Sequence, residues 1–171
     1  TEGDNVVRAQ QSSHGATILH VSDLQFGRYH RFDDSAGSLS QGLITDLAEL
    51  IRGDVPPIDL VVISGDIAER SLRSEYDQAR AFIDTLAEHT GLPLHRFVVT
   101  PGNHDVNWSM CSAHFAECDG NEITPRPPFA KKWQHYQTFV TNLHGRTAFT
   151  ADQPYRLHRF PELGIVVAAL N

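Results

Sequence analysis

A chain of 171 residues is long enough for one domain with a real core, and 40% apolar against 20% charged side chains is an ordinary globular balance. The net charge of -7, from 14 basic and 21 acidic residues, argues against a general nucleic-acid-binding surface, although a local basic patch inside a cleft is compatible with it. No apolar run approaches the ~20 residues that cross a bilayer, so no membrane span is expected.

Residues 1–15 read as a flexible polar leader without the apolar core of a signal peptide, and a cytoplasmic location is expected. One domain is expected over 16–171. ATILHVSD reads as a first strand ending at Asp23. In SLSQGLITDLAELIRG, Leu39, Leu43, Leu47, Leu50 and Ile51 recur at helical spacing, with Ser38 and Gln41 as a capping box and Gly53 as a stop. VPPIDLVVISGD is a loop followed by a continuous apolar strand, Leu60 to Ile63, ending in Gly65-Asp66. A second helix is predicted over 72–89, with Leu72, Tyr76, Ala79, Ile83 and Leu86 on one side, and RFVVT is the third strand. Residues 106–128 read as irregular, with TPRPP extended. Beyond them Phe129, Trp133, Tyr136, Val140 and Leu143 form an aromatic stripe typical of a core helix, and PYRLHRF and LGIVVAALN read as two closing strands.

The order β-α-β-α-β with unbroken β-branched strands predicts a layered α/β fold around a buried, mostly parallel sheet. In such sheets functional residues collect beyond the C-terminal strand ends. Here each apolar run is followed at once by polar candidates: Asp23 and Gln25, then Asp66, then Asn103, His104 and Asp105. Taken singly, Asp66 and Asn103 beside glycines would read as turn formers. Three clusters in register read as one site. His20, three residues before Asp23, falls on the other face of its strand and is expected to pack in the sheet.

Asp, Asn and His side chains in one cleft suit a pair of divalent ions such as Mn, Fe or Zn. A carboxylate can bridge ions ~3.5–4 Å apart, and such a pair can activate water against a phosphate ester while a His protonates the leaving group. The two cysteines suggest no disulfide: if NWSMCSAHFAEC is helical, Cys111 and Cys118 stand about 10 Å apart along its axis. A zinc site of Cys111, His114 and Cys118 on that helix face is outweighed by buried free thiols.

SDLQFG, SGDIAE and TPGNHD, in this order and each behind a strand, resemble the calcineurin-like metallophosphoesterase superfamily, whose pattern runs D-x-H, G-D, G-N-H-D/E and two later His-containing blocks. PGNHDVN, FAEC and ALN look similar to bacterial members, some of them fused to larger signalling or defence-type modules. The resemblance implies the N-terminal half of a β-sandwich flanked by helices. It implies Asp23 as ligand of one metal, Asp66 as bridge and Asn103 as ligand of the second. It also implies that His104 contacts phosphate and protonates the leaving group, and that Asp105 is the partner of His104.

Two departures stand out. Gln25 occupies the usual His position, so it is either a weak amide ligand that shifts preference toward Mn or Mg or a hydrogen-bonding neighbour. No later His block precedes Asn171, and an N-terminal portion of the domain is therefore expected, with self-association through an unpaired edge strand. In FGRYHRF, Arg28, His30 and Arg31 are candidates to hold the substrate anion. The expected function is hydrolysis of a phosphodiester, nucleotide or nucleic acid, with Mn the favoured ion and Fe, Zn or Mg as alternatives. The competing expectation is an incomplete or degenerate module with an assembly or regulatory role in a larger protein.

Overall fold

The computed structural model describes residues 15–27, 36–53, 55–127, 129–145 and 149–170. Three short strands, β1 (Ile18–Val21), β2 (Leu60–Ser64) and β3 (Phe97–Thr100), form a parallel sheet in the order β1-β2-β3. Helices α1 (Ala36–Arg52) and α2 (Arg73–Thr90) supply the crossovers. Parallel pairing in register, Val21 with Ile63 and Ile63 with Val99, brings the C-terminal ends of all three strands to one edge. That alignment positions everything that follows.

One face of the sheet, carrying Val61, Ile63, Phe97 and Val99, packs against α2 and against α4 (Gln134–His144). Helix α2 buries Tyr76, Ala79, Phe82, Ile83 and Leu86 there, each large side chain contributing roughly 1.5–3 kcal/mol. From α4 and the 3-10 turn before it come Trp133, Tyr136, Phe139, Val140 and Leu143. The predicted stripes of α2 and α4 are nearly right; of the α1 stripe, the side chains of Leu39 and Ile51 lie outside those described, and α1 starts at Ala36, so Ser38 is inside the helix and not its cap. Leu50 of α1 is 53% exposed while Ile44 and Leu47 are buried, and Leu72 lies outside the buried face of α2.

The opposite face is covered only in part. Strands β4 (Arg156–Phe160) and β5 (Ile165–Ala169) pair as an antiparallel hairpin, and Phe160 and Ala169 pack with Leu60 and Val98. Arg96 ties this unit to the foot of β3 by an ion pair with Glu162 at 2.9 Å, its guanidinium lying over the Phe160 ring. The hairpin does not reach β1, so Ile18 and His20 face outward. His20 is therefore not packed in the sheet as expected; its Nε2 meets Ser64 Oγ at 2.6 Å on the open face.

Residues 108–120, predicted irregular, form a helix, α3 (Trp108–Gly120). Asn107 caps it, its side-chain oxygen accepting from the Met110 N–H at 2.9 Å. Cys118 is the buried residue of α3 among those described, which is why apolar periodicity misses this helix. Both cysteines are free, and Cys118 Sγ lies 3.8 Å from His114 Nε2, a loose contact rather than a metal bond.

Candidate active site

Past β1 and β2 the chain does not splay apart. Gln25 N–H donates to Asp66 O at 2.8 Å, Phe26 N–H to Ile67 O at 2.9 Å and Glu69 N–H to Phe26 O at 3.0 Å, so the two strand-end loops continue the parallel pairing. This zipping holds Asp23 and Gln25 alongside Asp66. All three have positive φ, 55°, 44° and 50°. Left-handed backbone costs non-glycine residues roughly 1–2 kcal/mol each, and such strain gathers where side chains must be aimed.

The loops after β2 and β3 meet at two glycines. Gly65 takes φ 84°, and a Cβ on it would lie 3.2 Å from Gly102 Cα. A Cβ on Gly102 would overlap Asp66 Oδ1 and stand 2.5 Å from the Asp66 backbone nitrogen. With neither side chain present, the Asp66 carboxylate folds over Gly102, and its Oδ1 accepts from the His104 N–H at 3.0 Å. Asp66 is thus fixed to the segment that carries Asn103 and His104.

His104 Nδ1 lies 2.8 Å from the Glu69 carbonyl. A carbonyl only accepts, so Nδ1 carries the proton, and Nε2 has no partner among the described residues. Glu69, which sequence reasoning passed over, orients the ring through its backbone.

The expected Asp105–His104 pairing is not what the structure shows. Asp105 is 0% exposed, and its two oxygens are taken by other groups. Oδ1 accepts from Ala68 N–H and Tyr76 O–H, each at 3.0 Å, and Oδ2 from Ile67 N–H at 3.1 Å and Gly102 N–H at 2.9 Å. Burial pushes the carboxyl up from its ordinary range, against the pull of the Gly102, Ala68, Ile67 and Tyr76 hydrogen bonds. Burial, together with the Asp105 charge, also pushes the Tyr76 phenol far up, keeping it a donor. Asp105 is a brace between the loops after β2 and β3, not a catalytic partner of the imidazole. Its neighbourhood is equally determined: the carbonyl of Ser71 accepts from Asn107 Nδ2 at 3.0 Å and from the His135 ring at 2.8 Å.

Asp23 and Asn103 are exposed, and Gln25, Asp66 and His104 half-buried, all near the strand-end edge. Asp23 Oδ2 accepts from Ser22 Oγ at 2.6 Å. Asp23 and Asp66 each keep one oxygen without a partner among the described residues. No three His, Cys, Asp or Glu side chains lie together as a metal site among the described residues. Two carboxylates with amide oxygens fit a hard divalent cation better than a soft one. Arg28, His30 and Arg31 lie outside the described residues.

Carboxylates, amides and an imidazole thus follow the C-terminal strand ends of a parallel α/β sheet. Residues 16–160 match the family described as Calcineurin-like phosphoesterase, and the protein belongs to that family. Comparison with curated proteins finds no match. Among the described residues no helix is long and apolar enough to cross a membrane.

Proposed function

We propose that this domain hydrolyses phosphodiesters, with a nucleotide or nucleic acid as substrate, and that Asp23, Gln25, Asp66 and Asn103 hold two divalent ions. Mn is the preferred ion, because amide oxygens in place of imidazole weaken the hold on Fe or Zn more than on Mn or Mg. When bound, such ions supply Lewis acidity toward the phosphate and an activated water. The residues of the chain do the rest. Asp66, locked to the His104 N–H, sets the spacing between the loops after β2 and β3. His104, with Nδ1 committed to Glu69, presents Nε2 to the ester; in the cationic ring that nitrogen carries the proton the leaving oxygen takes. Arg28, His30 and Arg31 are assigned to the substrate anion.

The observation that supports this reading is the zipped edge, where the loops after β1 and β2 pair backbone to backbone and Gly65 N–H donates to the Thr100 carbonyl at the end of β3. Hydrolysis of bis(p-nitrophenyl) phosphate and of p-nitrophenyl phosphate with Mn tests it. Diester turnover above monoester turnover, abolished by Asp66→Asn, supports the proposal; monoester preference refutes the substrate class. Gln25 favours a second reading, a weakly metal-binding module serving assembly of a larger signalling or defence-type protein. β1 is an edge strand of the described sheet, which supports self-association along it.

A further inference from the structure

Trp108 is the first residue of α3 and is 62% exposed. Exposure alone is ordinary, since Ile123, Tyr155 and Leu170 are as open to water; what sets Trp108 apart is its hydrogen bond. Its position is not loose. The indole Nε1–H donates to the Asn103 carbonyl at 3.3 Å, placing the ring edge against the backbone of a candidate metal ligand. The anchor holds from both ends. Asn107, one residue before, is buried and hydrogen-bonded to Ser71 O, and Asp66 grips His104, one residue after Asn103. The indole edge therefore lies against the backbone of Asn103, next to His104. Trp133, the other tryptophan, is 5% exposed and packs among Tyr136 and Phe149.

We propose that Trp108 is a stacking platform for the nucleobase next to the scissile phosphate, and so a specificity-determining residue that favours base-bearing esters over aliphatic ones. A hydrogen-bonded indole beside a phosphate-binding edge has the two parts nucleotide recognition needs: a fixed point for the anion and a flat face for the base. Stacking tolerates every base, because each has a π face, so the selectivity is for nucleotide over non-nucleotide and not for sequence. The inference rests on the phosphoesterase reading of the neighbouring residues and names the substrate's other half.

The test is calorimetric binding of adenosine monophosphate and of glycerol phosphate to the full chain with Mn, in the parent, Trp108→Phe and Trp108→Leu. The parent is expected to bind the nucleotide more tightly than glycerol phosphate. Trp108→Leu should lose about 5- to 30-fold in nucleotide affinity with glycerol phosphate unchanged, and Trp108→Phe should keep most of it. In the parent, nucleotide should also quench the exposed indole's fluorescence. Equal losses for both ligands in both variants would mean that Trp108 only positions Asn103, and would overturn the proposal. So would equal affinity of the parent for the two ligands. If Asp66→Asn abolishes ester hydrolysis while Trp108→Leu leaves nucleotide preference intact, stacking alone fails. If Trp108-dependent nucleotide binding persists where no ester is hydrolysed, the phosphoesterase reading fails and the stacking site stands.

Discussion

Asp105→Asn changes one atom of the chain and reverses the hydrogen-bonding sense of half a buried carboxylate. Four donors converge on the two oxygens, two on each. An amide in the same space can accept at one position only; at the other, its NH2 faces either Ile67 and Gly102 N–H or Ala68 N–H and Tyr76 O–H. With its NH2 toward Ile67 and Gly102 the amide strands two N–H donors; turned the other way it strands only the Ala68 N–H, because the Tyr76 hydroxyl can rotate and accept from it. At about 1.5–3 kcal/mol for that one lost bond, with the remaining bonds weakened by loss of the charge, the cost is about 2–4 kcal/mol. Asp105→Ala leaves two buried backbone N–H groups and the half-buried Gly102 N–H unpaired and should cost about 4–5 kcal/mol. Either is a large share of the roughly 5–15 kcal/mol that holds a domain together. Urea unfolding at pH 7, followed by far-UV circular dichroism, reads the difference as a midpoint lowered by roughly 1–2 M in Asp105→Asn. The control is Asp84→Asn, which removes an exposed ion pair to Arg80 and should cost under about 1 kcal/mol. An Asp105→Asn protein within about 0.5 kcal/mol of the parent would refute the donor count and with it the brace between the two loops.

Three further outcomes are expected. Gly102→Ala, whose methyl group would overlap Asp66 Oδ1, should weaken Mn binding at least tenfold while far-UV dichroism stays unchanged; parent-like affinity would show that Asp66 is free to move aside. His144 is lowered from 6.5 to about 4 by burial, with His158, Arg156 and Arg80 adding to the shift. The unfolded chain therefore binds this proton first. Its stabilising contribution is complete above pH 6.5 and lost as pH falls toward 4; after discounting for partial exposure the loss is on the order of 1 kcal/mol. His144→Gln should flatten that slope, and identical slopes in parent and variant would contradict it. Arg28→Ala with Arg31→Ala should raise KM for an anionic diester severalfold with kcat little changed; unchanged kinetics would remove both from the substrate assignment.

The parts of this protein that sequence makes legible are those where one physical signal dominates. Leu60 to Ile63 and Phe97 to Val99 form uninterrupted apolar runs because both faces of β2 and β3 are covered, and the structure places strands there. β1 carries His20 inside its apolar run and has only one covered face, so the expectation from strand alternation that His20 packs in the sheet fails for want of a neighbour above it. Helix α3 leaves no apolar stripe because it buries little; its start is marked instead by the Asn107 cap, a polar signal that periodicity does not weigh. Past the strand ends, strand order and glycine placement bring the segment of Asp66 against that of His104. The role of Asp105 was not legible, since adjacency to His104 in sequence suggested a pair, whereas the turn at Gly102 points the two side chains to different partners. Glu69 acts through its carbonyl, which no residue type discloses.

Asp66 joins the loops after β2 and β3 and is assigned to both ions, so the metal centre depends on it more than on any other side chain. The deciding measurement is the number of Mn ions bound per chain at saturation, in the parent and in Asp66→Asn, which keeps the side chain's shape but removes its charge. Stoichiometric Mn binding in the parent, lost or weakened at least tenfold in the variant, is the predicted result. Binding of equal strength in the two proteins, or none in the parent, would contradict the placement of the metal centre at this edge.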